Sequence, residues 1–115
     1  MEKWKMYFNP KCGTCRDALT LLLSKGIRPE LIEYLKNPPS VGELNQLWKS
    51  GLKAEDIVRK RENLYAEMKL AEKKLSSDEW TEILSKNPTL IERPIVIKGN
   101  KAIVARPAEK VLDLF

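Results

Sequence analysis

The stretch from Pro94 to Ala105 constrains this chain more than any other. Pro94-Ile95-Val96-Ile97-Lys98 and Lys101-Ala102-Ile103-Val104-Ala105 are two apolar runs separated by the turn pair Gly99-Asn100. Short strands joined by a two-residue glycine turn predict a β-hairpin, because glycine reaches the turn conformations that match strand twist. A lone hairpin is only marginally stable, so other strands and helices must cover it. The opening Lys3-Trp4-Lys5-Met6-Tyr7-Phe8 has strand character and stops at Asn9-Pro10. Glu30-Leu31-Ile32-Glu33-Tyr34 alternates polar and apolar residues and predicts a second strand. Between them, Ala18, Leu19, Leu21, Leu22 and Leu23 predict a helix over Gly13 to Lys25, closed by Gly26.

The middle of the chain has helical signals. Ser40 with Glu43, and Ser76 with Glu79, each predict a capping box, a hydroxyl three residues ahead of a glutamate. Leu44, Leu47 and Trp48 form the apolar face of the first of these helices, which Gly51 ends. Trp80, Ile83 and Leu84 face inward from the second, which Asn87-Pro88 terminates. Ala54 to Val58 and Glu62 to Leu70 predict shorter helical pieces. Pro107 suits the first position of a closing helix that carries Val111, Leu112, Leu114 and Phe115. The order strand, helix, strand, several helices, hairpin, helix predicts one α/β domain over residues 1–115. Two parallel strands joined by a helix would be completed by the hairpin into one mixed sheet.

Composition enters through what it excludes. The chain has no histidine, so Cys-His dyads, Ser-His-Asp triads and Cys/His zinc sites are out of reach. Two cysteines cannot make a four-thiolate metal site within one chain. No apolar run approaches the ~20 residues that span a bilayer. The start Met1-Glu2-Lys3-Trp4-Lys5 lacks the apolar stretch of a signal peptide, which predicts a cytoplasmic protein with no membrane partner. The net charge of +5 is a mild excess, and with no nucleic-acid motif direct nucleic-acid binding is not expected.

Cys12-Gly13-Thr14-Cys15 falls where the first strand turns into the first helix. Unpaired backbone N–H groups and the helix dipole favour thiolate over thiol there. Arg16, one turn further on, can add a positive charge, so Cys12 is expected to titrate below the free value of about 8.5. Cys15 lies on the same side of the helix start, near enough for a disulfide with small adjustment. The expected division is an exposed, attacking Cys12 and a more buried, resolving Cys15. Half of a zinc site shared with a second chain, or two small core residues, are the alternatives.

Arg93 and Arg106 each precede a proline, which biases them into loops at the ends of the hairpin, and Arg59 sits at a helix break. Arginine suits forked binding of an oxyanion. Taken singly, each is equally well a solvated surface residue, and Arg59-Lys60-Arg61 equally well a basic helix face or modest nucleic-acid patch.

The string Asn9-Pro10-Lys11-Cys12-Gly13-Thr14-Cys15-Arg16 resembles the active-site signature of the glutaredoxin-like arsenate reductase (ArsC) family. The match continues through Tyr34-Leu35-Lys36-Asn37-Pro38-Pro39, Val58-Arg59-Lys60, Glu92-Arg93-Pro94-Ile95-Val96 and Ala105-Arg106-Pro107. The resemblance implies a thioredoxin/glutaredoxin-like fold with a helical insertion, about residues 38–90, between the second strand and the hairpin. It implies that Pro94 is a cis-proline facing Cys12, and that Arg59, Arg93 and Arg106 hold the oxyanion. It also implies attack by the Cys12 thiolate on arsenate, reduction of the adduct by glutathione, and recycling by glutaredoxin, with no bound cofactor. Serine is usual in that family where this chain has Cys15, and Cys-x-x-Cys resembles the related Spx group, redox-sensing regulators that bind RNA polymerase. Those regulators generally lack the equivalent of Arg106-Pro107. Cys15 could therefore replace glutathione as the resolving thiol and leave an internal disulfide for thioredoxin or glutaredoxin. A general dithiol-disulfide oxidoreductase is the remaining alternative.

Overall fold

The computed structural model describes residues 3–115; Met1 and Glu2, at the head of the segment read as lacking a leader, lie outside the described residues. Four strands form one mixed sheet: β1 (Trp4–Phe8), β2 (Glu30–Glu33), β3 (Ile95–Lys98) and β4 (Lys101–Val104), in the spatial order β2-β1-β3-β4. β1 and β2 run parallel, and are connected through α1 (Gly13–Ser24). β3 lies antiparallel to β1 and to β4, with Met6 opposite Val96 and Val96 opposite Ile103. Gly99, at φ 59°, makes the hairpin turn that the sequence predicts. Between β2 and β3 come α2 (Val41–Lys49), α3 (Ala54–Ile57), α4 (Asn63–Glu67) and α5 (Ser77–Lys86), with single 3₁₀ turns at Leu70–Glu72 and Pro88–Leu90.

The two-residue period of the strands sorts their side chains into two cores. Met6 and Phe8 of β1, with Val96 of β3, meet Ala18 and Leu22 of α1 and the C-terminal residues Ala108, Val111 and Leu114. Tyr7 and Ile95 point the other way, into a second core with Leu44 and Leu47 of α2, Ile57 of α3 and Leu84 of α5. The sheet is thus a middle layer, and the helical insertion supplies one of the two covers. Both predicted capping boxes form: Glu43 N–H donates to Ser40 Oγ at 3.1 Å, and Glu79 N–H to Ser76 Oγ at 3.2 Å. The indole Nε1–H of Trp48 donates to Thr81 Oγ1 at 2.8 Å, joining α2 to α5.

Trp80 and Ile83 face the insertion's core as expected, each partly buried. Two expectations are corrected. Leu23 lies on the outer side of α1 and is 49% exposed. Pro107 is not the first helical residue but the extended residue ahead of it, at φ −67° and ψ 166°. The reason is that pairing continues past β4: Ala105 N–H donates to Pro94 O at 2.9 Å, which keeps the chain extended through Pro107. The closing element, Ala108–Leu114, is a 3₁₀ helix. Its buried residues Ala108, Val111 and Leu114 recur every three positions, the period of that helix, while Leu112 and Phe115 stay exposed.

Candidate active site

The loop from β1 to α1 is tied tightly to itself. Cys12 N–H donates to Asn9 O at 2.9 Å, and Lys11 N–H donates to Asn9 Oδ1 at 3.0 Å. Cys12 is the N-cap of α1, with extended backbone (φ −94°, ψ 121°). The first turn of α1 contains no acidic residue, so no carboxylate offsets the positive end of the helix.

Cys12 is less accessible than expected. It is 8% exposed, because it packs into the same core as Phe8 and Ala18, while Cys15 is fully buried. The order of depth is as expected, and both are free thiols.

Their environments drive the two thiols apart. Burial pushes Cys12 up, but the Cys15 N–H and thiol, then the guanidinium groups of Arg93 and Arg106, outweigh it and bring its pKa from 9.0 to about 7. Burial pushes Cys15 up to about 12, and the Cys12 sulfur beside it adds to the rise. The pair therefore holds one thiolate near neutrality, on Cys12.

The cations that face this sulfur come from the far end of the chain. Arg106 Nη1 lies 3.9 Å from Cys12 Sγ and donates to Arg93 O at 2.9 Å. Arg93 donates through Nη1 to the hydroxyl of Tyr34 at 3.5 Å. The Arg93-Pro94 and Arg106-Pro107 bonds are both cis. Arg59 is held by backbone pairing of its segment with residues 90–92: Val58 bridges Ile91, Arg59 N–H donates to Leu90 O, and Glu92 N–H donates to Ile57 O, both at 2.6 Å. Arg59 Nε lies 3.1 Å from Glu62 Oε2, an ion pair outside hydrogen-bond geometry, and its Nε and Nη1 are buried without an acceptor. Arg16 is exposed and donates to Pro10 O at 3.1 Å, so its guanidinium ties the loop, while Arg93 and Arg106 are the guanidinium groups seen to lower Cys12.

Three residues of this neighbourhood were given no role from the sequence. Tyr34, in the turn just past the edge strand β2, is fully buried against Arg93. Glu62 follows Arg59 by three residues, and Glu92 immediately precedes Arg93. Those spacings were visible, but only the fold shows that Glu92 Oε1 sits 3.9 Å from Arg106 and 3.8 Å from Arg61. A groove of about 530 Å³ adjoins this corner, with Glu92, Arg106, Asp56 and Lys110 among its walls. Among the described residues, no cluster of three or more His, Cys, Asp or Glu could hold a metal ion. No described helix is long and apolar enough to cross a membrane.

A mixed four-stranded sheet with a thiol pair at the β1–α1 turn and a cis-proline ahead of β3 defines a thioredoxin-like protein. The model of the ArsC family matches residues 7–114, and the chain belongs to that family. It is 39% identical over 112 residues to the uncharacterized protein YfgD of Escherichia coli K12, covering 96% of this chain and 94% of that protein. An arsenate reductase of Neisseria meningitidis is 38% identical over 113 residues, covering 96% and 97%. Among solved structures, the arsenate reductase from Vibrio cholerae superposes with a TM-score of 0.91 at 40% identity, over 99% of this chain and 98% of that one.

Proposed function

We propose that this protein is a thiol-dependent oxyanion reductase of the arsenate reductase type, working in the cytoplasm as a single domain. The observation that carries this reading is the 3.9 Å approach of the Arg106 guanidinium to the sulfur of Cys12, with Arg93 acting on the same thiol. A lowered thiol beside forked cations is arranged both to attack and to hold an anion. The arsenate reductases among its relatives supply the substrate class.

In this scheme Arg59, Arg93 and Arg106 bind the oxyanion beside Cys12, and Pro94 shapes the wall of the site. The Cys12 thiolate attacks arsenic; a sulfur–arsenic bond forms, and one oxygen leaves as water after taking up protons. A second thiolate then attacks the Cys12 sulfur. A disulfide forms, the sulfur–arsenic bond breaks, and its electron pair reduces arsenic from the pentavalent to the trivalent state. In this reading Cys15, whose thiol interacts with that of Cys12, is that second thiol once it loses its proton, with glutathione as the external alternative. Glutathione with glutaredoxin, or thioredoxin, returns the two electrons to the protein.

A disulfide-exchange enzyme or an Spx-like switch bearing on RNA polymerase would use the thiol pair and the two arginines that lower Cys12, and would leave Arg59 without a role. Arg59→Ala distinguishes these readings. It is expected to cut arsenate reduction by ~10–100-fold, as loss of a hydrogen bond to a charged group costs about 1.5–3 kcal/mol, and to leave disulfide exchange nearly unchanged. Equal loss of both activities would remove the oxyanion role.

A further inference from the structure

Glu92 is an unexpected neighbour for an anion site. Its carboxylate lies between two guanidinium groups, 3.9 Å from Arg106 Nε and 3.8 Å from Arg61 Nη2, too far for either to be a hydrogen bond. Its Oε1 is buried and accepts from no donor. Arg59 Nε and Nη1 and Arg93 Nε are likewise buried with no acceptor. A buried polar group without a hydrogen bond is costly, and donors and an acceptor held at most by ion pairs out of hydrogen-bond geometry are unusual around one corner of a finished core. The bridge of Val58 to Ile91 joins the segment carrying Arg59 to the one carrying Glu92 and Arg93, so these groups share one rigid frame.

We infer that Glu92 selects protonated oxyanions, accepting a hydrogen bond from a hydroxyl of the bound anion while the arginines donate to its oxygens. This rests on the proposed oxyanion role of the arginines and adds the class of anion to it. At neutral pH arsenate and phosphate keep a proton and can satisfy both kinds of partner. Sulfate has no proton to give, so its oxygen would face the Glu92 carboxylate with like charge and no hydrogen bond. A carboxylate acceptor thus rejects the wrong anion through repulsion as well as a missing bond.

Binding can be read without turnover as protection of Cys12 from iodoacetamide by increasing phosphate or sulfate. Wild type is expected to be protected by phosphate at a concentration at least ~10-fold lower than sulfate, about one charged hydrogen bond's worth of discrimination. In Glu92→Gln that ratio is expected to collapse towards one, chiefly because sulfate protects better. Glu92→Asp, which keeps the carboxylate, should retain most of the preference. Circular dichroism on each variant checks the fold. If Glu92→Gln weakens both anions equally, the residue merely positions Arg106 and the inference is overturned. Equal protection of wild type by both anions overturns it too, while leaving the oxyanion site in place. Protection by neither anion overturns both the inference and the reading beneath it.

Discussion

At Cys12 the cost of burial is opposed by several donors at once, from the helix it caps and from two arginines more than eighty residues away in sequence. At Cys15 burial wins: the backbone of Asn9 and the charge of Arg93 oppose it without overcoming it. A pKa near 12 keeps this thiol protonated until the partner thiol is consumed. For an acidic group whose pKa is lowered, the charged form is present above the folded value and lost as pH falls through it. Alkylation of Cys12 should therefore rise with a midpoint near pH 7 and fall about tenfold per unit below it. Arg93→Ala and Arg106→Ala should each move that midpoint upward, measured by labelling rate against pH with mass spectrometry to assign the site. An unmoved midpoint in both would mean that the helix terminus alone activates the thiol. The place of Cys12 was legible because a strand ending at Asn9-Pro10 hands over to a helical pattern. The approach of Arg93 and Arg106 to that sulfur was not legible in the residues themselves, since it depends on the hairpin register, nor was the Val58–Ile91 bridge that holds the segment of Arg59. The contact of Tyr34 with Arg93 was illegible for a similar reason: nothing local to the second strand announces a buried partner for Arg93.

The insertion's helices depend on tertiary support, because α2 and α5 are nine and ten residues long, below the length at which isolated helices persist. Their capping boxes satisfy backbone donors, and the Trp48–Thr81 hydrogen bond ties them together. Thr81 is 1% exposed, and its hydroxyl also donates to Ser77 O at 2.7 Å. Thr81→Val keeps the volume but strands the Trp48 N–H, and should cost about 1–3 kcal/mol in urea unfolding. A loss below ~0.3 kcal/mol would show that water readily replaces the hydroxyl. The capping boxes and the hairpin were legible because each is a short-range pattern of a few residues. The start of the closing helix was misjudged because proline at the first helical position is only a local preference. Here the Ala105–Pro94 hydrogen bond holds the chain extended for longer. The tight spacing of Ala108, Val111 and Leu114 was in the sequence, but reading it as 3₁₀ requires knowing which of the five apolar residues from Ala108 to Phe115 are buried.

The whole molecule divides its work between the faces of one sheet. α1 and the C-terminal helix bury Met6, Phe8 and Val96 and set the depth of the two cysteines. The insertion covers the other face and delivers Arg59 through its contact with residues 90–92. The layer order followed from the sequence because the period changes from two to helical and back. The thiol comes from the β1–α1 turn, Arg93 and Arg106 from the ends of the hairpin and Arg59 from the insertion, so the proposed activity would draw on the whole assembled fold. The most direct measurement is arsenite formation from arsenate by the pure protein, with glutathione plus glutaredoxin and with thioredoxin in parallel. Wild type, Cys12→Ser, Cys15→Ser and Arg93→Ala would be compared. The account predicts turnover that vanishes in Cys12→Ser and falls ~10–100-fold in Arg93→Ala, for a lost charged contact of about 1.5–3 kcal/mol, with the Cys15→Ser result naming the resolving thiol. No turnover with either donor system, from protein that readily forms a Cys12–Cys15 disulfide, would contradict it.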